Sequence, residues 1–367
     1  MSHVEATLSR EALLHNLSIV RLHCPTQKIW AMVKADAYGH GAQWTVNVLS
    51  DVDAFGVATL EEALLIKSKK PIYVMRGFLN AKELAIMQEN NIGAVLHCFE
   101  QLELLSHLAS KMADNFLNFP YKAKELMKVW IKIDSGMHRL GFQREDLSTL
   151  QETLRSLPIK IEGFMTHLAK ADELGSDMTE QQSSCFETQL PADSVKSIAN
   201  SAGILAHPRT HGDWVRPGLM LYGVSPFSNK SAMDLNLKPV MTVEAPILAL
   251  KKIRAGMGVG YGQIWQAPRD TQIAIVGMGY GDGYPREVVG ATVCIENRLY
   301  PVIGRVSMDL MAVDLQQTNV SIGSMARIWG EGHPVELLAE ASNTIPYTLL
   351  TRVNKRVFFN EDNRWTG

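Results

Sequence analysis

No stretch of roughly 18 consecutive apolar residues occurs in the chain, so no membrane-spanning helix is expected. The opening MSHVEATLSREALLHN has no apolar run behind a basic head, so the sequence reads as soluble and cytoplasmic. Charge of one sign is missing too: 36 Lys and Arg face 38 Asp and Glu, and neither sign runs in blocks. That excludes the electrostatic footprint of a nucleic acid or an anionic membrane and suits a small polar substrate better. Cysteine is scarce, and Cys24, Cys98, Cys185 and Cys294 lie far apart with no Cys-x-x-Cys pair. This spacing fits reduced, mostly buried thiols better than disulfides or a zinc site. Internal repeats and low-complexity tracts are also absent.

What is present is enough apolar material, 46% of 367 residues, for two domains or one large barrel with an added module. Between Ser9 and about Gly223, short apolar runs end near Lys34, Leu60, Gly77, Cys98, Ser135, His167, Ser201 and Gly223. Helical periodicity fills gaps between them, for example over 10–23, 60–69, 81–90 and 178–190. Eight strand–helix units predict the α/β class, with an N-terminal TIM (β/α)8 barrel over 9–228. The stretch SPFSNKSAMDLNLKP, polar and broken by two prolines, reads as a connection. After it, β-branched alternation in VMTVEAPILALKKI, QIAIVGMG and MARIWGE predicts a mainly β C-terminal domain over 237–367, which the segment 1–8 is expected to join.

The run Ile29-Trp30-Ala31-Met32-Val33 ends in Lys34. A lysine there marks either the point where a strand meets water or a site of chemistry, because Lys is rarely buried without a partner. Ala35 to Gly41 then combines a phenol, an imidazole and two glycines, in a loop where backbone can approach a ligand closely. TIM barrels carry their chemistry at the C-terminal ends of the strands. Arg139 after VWIKIDSGMHR, His167 after IEGFMTH, Ser201 after KSIANS and Arg216 beside the start of WVRPGLMLYG share that expected face with Lys34. Arg139 is a loop ion-pair residue or a carboxylate clamp. Asn200-Ser201-Ala202-Gly203 is a phosphate site or an ordinary helix cap. GMGVGYG and GMGYGDGYP lack GxGxxG in register and read as turns, leaving Tyr261 as a turn aromatic or an exposed phenol. His167, Asp172, His207 and His211 do not form a converging ligand pattern, so no metal is expected.

AMVKADAYGHG is followed in order by KIDSGMHRLGF, MTHLAKADE, ANSAG, RPGLMLYG, VGYG, GYGDGYPR, GRVSMDLM and PYTLL. Together these segments resemble the alanine racemase family, pyridoxal-phosphate enzymes of the barrel-plus-β-domain type, over essentially the whole chain. The resemblance implies pyridoxal 5'-phosphate carried on Lys34, and Tyr261 as the second acid/base, supplied across a homodimer interface. It implies that Tyr38, Asn200, Ser201, Tyr347 and the backbone at Gly218 and Leu219 bind the cofactor. By the same likeness Arg139 and the backbone of Met308 hold the substrate carboxylate, Arg216 faces the pyridine nitrogen, and His167 links Arg216 to Tyr261. Lys132 is expected to be carbamylated and to fix Arg139. One position departs: Ser197 stands where some members have a histidine supporting the arginine, and serine would do so through water or not at all.

Inverting an amino-acid α-carbon requires a proton to leave one face and another to arrive on the opposite face, hence two bases. Lysine and tyrosine side chains ordinarily titrate near 10, so such a site must lower them to work near neutral pH. The expected function is interconversion of L- and D-alanine, either supplying D-alanine for cell-wall precursors or degrading it. The alternatives are a related racemase for serine or a basic amino acid, a barrel decarboxylase, and a cofactor-binding protein without turnover.

Overall fold

The structure, a computed structural model, describes residues 3–114, 126–316 and 318–361. Residues 1–2 and 362–367, at the outer ends of the 1–8 and 237–367 spans, lie outside the described residues. The chain forms two compact units. The barrel unit comprises Ser18–Ala37 and Gly41–Gly218; the β unit comprises Met1–Leu17, Tyr38–His40 and Leu219–Gly367.

In chain order, β1 (Glu5–Leu8) belongs to the β unit. Eight strands then pair in parallel to close the barrel: β2 (Lys28–Met32), β3 (Ala54–Val57), β4 (Ile72–Val74), β5 (Gly93–Leu96), β6 (Met127–Lys132), β7 (Ile159–Met165), β8 (Lys196–Ser197) and β9 (Trp214–Val215). Closure is made by β2 and β9, with Ile29 opposite Val215. Strands β3, β4 and β5 are buried throughout, as expected where one face meets the barrel interior and the other meets helices. Tryptophans pack among these strands: the Trp30 and Trp130 rings lie 5.2 Å apart, and Trp130 meets Trp214 edge-on at 5.6 Å.

Two elements are shorter than their sequence periodicity suggests. The helical pattern over 60–69 gives a helix only over Leu60–Leu64, because the Lys67 amide is taken by Gln43 Oε1 at 2.7 Å and Pro71 follows. The last apolar run, read as reaching Gly223, is strand only over Trp214–Val215. Pro217 has no N–H to continue a ladder, and Leu219–Tyr222 turns into a 3-10 helix. Arg216 therefore stands at the end of a strand rather than beside the start of one.

In the β unit, β1 lies between β10 (Met241–Ile253), antiparallel, and the strand Phe358–Glu361, parallel. Thr271–Val276 pairs with both β10 and Met311–Asp314, so six strands of this sheet close into a ring. Two short helices, Val335–Ala341 and Pro346–Arg352, accompany it.

Candidate active site

In the barrel unit the C-terminal strand ends assemble cations. Lys34 follows β2, reached by solvent at the strand-end face yet crowded by the protein around it. Burial by the surrounding protein and the Arg139 guanidinium lower its ammonium from the usual lysine value, with Arg216 adding to this and Glu62 opposing it. Lys132 closes β6 and is only 7% exposed. Burial first, then Arg139 and Arg216, push it down to about 8. The carboxylates nearby are engaged by backbone. Glu62 accepts the amides of Ala35 at 2.8 Å and Ala58 at 2.7 Å. Asp134 Oδ1 accepts the amides of Gly136, Met137 and His138 at 3.0, 3.1 and 3.0 Å. Burial works against the Asp134 carboxylate, but these bonds and His138 win and hold it below its usual range.

That Asp134 turn carries Arg139. The loop returns to its own strand end through Phe142, whose amide reaches the Lys132 carbonyl at 2.9 Å while its carbonyl accepts the Asp134 amide at 2.9 Å. Arg139 is thus held on a closed loop, with its guanidinium exposed at the strand-end face.

Arg216 is 2% exposed and is held by several fixed acceptors. It donates to Ser197 Oγ at 2.7 Å, to the Ile198 carbonyl at 3.1 Å and to the Thr166 carbonyl. The Ser197 hydroxyl in turn donates to the Trp214 carbonyl at 2.9 Å, so Ser197 supports the arginine directly, neither through water nor not at all. Burial lowers Arg216 to about 9, which leaves it protonated at neutral pH. His167 Nδ1 lies 3.4 Å from Arg216 Nη2. A guanidinium can only donate, which assigns Nδ1 as the acceptor and Nε2 as the protonated nitrogen, in the longest of the three Nη2 contacts. Burial and then Arg216, Lys132 and Arg139 press His167 well below the usual imidazole range, and it is neutral.

Asn200 caps the helix Ser201–Ala206, its side-chain oxygen accepting the Gly203 amide at 3.0 Å. Ser201 Oγ accepts the Gly218 amide at 3.0 Å, fixing the chain just before Leu219. The segment after Lys34 turns the unusual way. Ala35, Asp36, Ala37 and Tyr38 have φ of 50°, 52°, 54° and 56°, so Lys34–Gly39 is a left-handed helical turn.

The β unit holds the remaining candidates. Tyr38 is buried, 4.9 Å ring to ring from Tyr222 and 5.8 Å from Tyr347. Burial and then Tyr347 raise its phenol above the usual value. Gly39 lets this segment approach the Leu350 carbonyl, which a Cβ would meet at 2.1 Å. Tyr261 is 68% exposed, between Gly260 and Gly262 at φ 74° and 71°. Met308 is 52% exposed, and its carbonyl is fixed by the Gly281 amide at 2.8 Å.

Family models match both parts of the chain: "Alanine racemase, N-terminal domain" over residues 8–226 and "Alanine racemase, C-terminal domain" over 240–359. The chain belongs to the alanine racemase family. An alanine racemase of Aeromonas hydrophila subsp. hydrophila is 43% identical over 361 residues, 96% of this chain and 98% of that one. Among solved structures, the alanine racemase of Acinetobacter baumannii superposes with a TM-score of 0.90 at 39% identity, covering 98% of this chain and 100% of the other. The alanine racemase of Bartonella henselae, solved with covalently bound pyridoxal phosphate, has a TM-score of 0.87 at 28% identity, covering 98% of this chain and 100% of that one.

For this member of the alanine racemase family, the barrel unit brings Lys34, Lys132, Arg139, His167 and Arg216 into mutual electrostatic range. Tyr38 and Tyr347 are neighbours in the β unit. His207 and His211 lie apart from this cluster. His207 Nε2 meets the Ala171 carbonyl at 3.0 Å, while His211 meets the Ile204 carbonyl at 3.1 Å and Cys24 Sγ at 3.3 Å. Sequence spacing alone does not single out Glu62 or Asp134. For Asp134, the signal was an Asp two residues before a Gly in a turn that carries an Arg.

Proposed function

We propose that the chain is a pyridoxal-phosphate-dependent isomerase that interconverts L- and D-alanine by two-base proton transfer. The observation that carries this reading is the cation cluster at the barrel strand ends. Lys34, Lys132, Arg139 and Arg216 raise the local positive charge while Glu62 and Asp134 are engaged by amides. Such a site fits an anionic cofactor and an anionic substrate. It also fits a carbonyl cofactor held on Lys34, since an amine with a lowered pKa is the better nucleophile. The family likeness assigns the phosphate to Ser201, the Gly218 and Leu219 backbone, Tyr38 and Tyr347, and the Ser201 hydroxyl, which accepts the Gly218 amide, keeps its own proton to donate. When bound, pyridoxal 5'-phosphate supplies the electron sink that lets an α-proton leave.

The chain's own groups do the rest. Arg139 and the Met308 amide orient the substrate carboxylate. Lys34 removes or returns the α-proton on one face, and Tyr261 does so on the other. Arg216, held in place by its bonds to Ser197 and to the Thr166 and Ile198 carbonyls, would face the pyridine nitrogen with its remaining N–H groups, and its charge would disfavour a proton there. The neutral His167 offers Nε2–H to the Tyr261 oxygen. The outward exposure of Tyr261 supports its service to a second copy of the chain, as a homodimer would require. A carbamate on Lys132 would place a carboxylate beside Arg139, and the lowered amine favours its formation. Cys24, Cys98, Cys185 and Cys294 are free thiols, in keeping with work in a reducing cytoplasm. A chiral assay of the cofactor-loaded protein with L-alanine tests the reading: D-alanine should accumulate to near parity, and its absence would overturn it.

A further inference from the structure

The helix Met178–Glu187 carries none of the residues assigned above, yet its Gln182 is completely buried. A buried carboxamide is costly unless both ends are bonded. Gln182 Oε1 accepts the Ala169 amide at 2.8 Å, and its Nε2 donates to the His167 carbonyl at 3.0 Å. The side chain thereby gives this loop the two-bond pairing that a neighbouring strand would give. Sheet-like bonding ends just before it, where the Thr166 amide meets the Ser197 carbonyl at 3.2 Å. Nε2 also reaches Ser135 Oγ at 3.5 Å, and that hydroxyl is shared with Thr166 Oγ1 at 2.7 Å. Gly136, at φ +127°, faces this helix, and a Cβ there would lie 3.1 Å from the flexible Met178 Cε and 3.6 Å from Gln182 Cγ. One carboxamide thus ties the loop leading to Arg139 to the loop that carries His167.

We propose that Gln182 is a positioning residue that fixes the His167–Ala169 loop so that imidazole Nδ1 faces Arg216 and Nε2–H points where proton transfer uses it. The clamp stands on the hydrogen bonds alone, whereas its consequence for catalysis rests on the role proposed for His167. The test uses the full chain loaded with pyridoxal phosphate, in wild-type form and as Gln182→Leu and Gln182→Glu. The second variant is isosteric; it keeps the acceptor for Ala169, loses the donor to His167, and carries the test if the leucine variant does not fold. Nitrogen-15 histidine spectra from about pH 5.5 to 8.5 report the ring tautomer and its titration. Wild-type His167 should stay neutral with its proton on Nε2 throughout. In the variants its resonances should move toward an ordinary titrating imidazole, with kcat down about 10- to 100-fold and KM for alanine nearly unchanged. Folded variants with wild-type His167 resonances would overturn the clamp. Displaced resonances with unchanged kcat would uphold the clamp and refute the role of His167.

Discussion

The left-handed turn after Lys34 makes a sign prediction at Ala35. Its φ is 50°, a region that costs a non-glycine L-residue about 1–2 kcal/mol. Ala35 is exposed, so its methyl packs against little, and its amide bond to Glu62 Oε1 at 2.8 Å survives replacement by glycine. Ala35→Gly should relieve most of the backbone strain, less about 0.4–1 kcal/mol for the greater freedom of the unfolded chain. The net expectation is a gain of about 0.5–1 kcal/mol. Ala35→Val should move the other way by at least about 1 kcal/mol, because a β-branched residue fits the left-handed region worse than alanine. Urea unfolding of cofactor-free protein, followed by tryptophan emission, measures both; Trp30, Trp130 and Trp214 report on the barrel. In a thermal melt each kcal/mol should appear as about 2–4 °C for a unit of this size. A right-handed turn gives the opposite sign, since glycine inside an ordinary helix costs about 1 kcal/mol relative to alanine. A destabilised Ala35→Gly would therefore refute the left-handed geometry in solution.

Borohydride treatment of the cofactor-loaded protein should leave the label on the peptide containing Lys34, and label on another lysine would sink that assignment. Tyr261→Phe should slow α-hydrogen exchange in deuterated water from L-alanine by about 100- to 10,000-fold and exchange from D-alanine far less, while abolishing net racemisation; equal slowing from both enantiomers would contradict the division between the two bases. Lys132, at about 8 in the fold against about 10.4 in an unfolded chain, binds its proton less tightly when folded. Stability in carbon-dioxide-free buffer should thus rise by up to about 3 kcal/mol between about pH 8 and 10, where only the unfolded chain keeps that proton. Lys132→Met should remove this rise, and an unchanged pH slope would argue against the assignment. In labelled bicarbonate, a carbamate carbon-13 signal should appear for the wild type and be missing from Lys132→Met.

The strand ends were legible in the sequence because a parallel barrel buries both faces of each strand, so its apolar runs stand out and stop where the chain meets the functional face. Strand lengths were less legible: β9 has only two residues because Pro217 ends the ladder inside an apolar run that periodicity alone reads as continuous. The cations were legible by position, since Lys34, Arg139 and Arg216 follow strands of a fold that places its chemistry there. The direct bond from Ser197 to Arg216 was not, because it depends on two side-chain conformations and a 2.7 Å separation that no spacing encodes. Least legible was the turn over Lys34–Gly39. Ala35, Asp36, Ala37 and Tyr38 carry no strong left-handed signal, and only Gly39 and Gly41, at φ 81° and 84°, point to unusual backbone. Local preference and observed conformation disagree for four residues in a row, immediately after the lysine proposed to hold the cofactor. Strain of this kind persists only where the surroundings over-determine the backbone, and such places cluster at functional sites. Here the constraints are visible on each side: Glu62 holds the Ala35 amide, and the Leu350 carbonyl lies where only a glycine can stand at position 39. The disagreement between sequence and backbone therefore marks the same place as the charge cluster, by an argument that uses no charge at all.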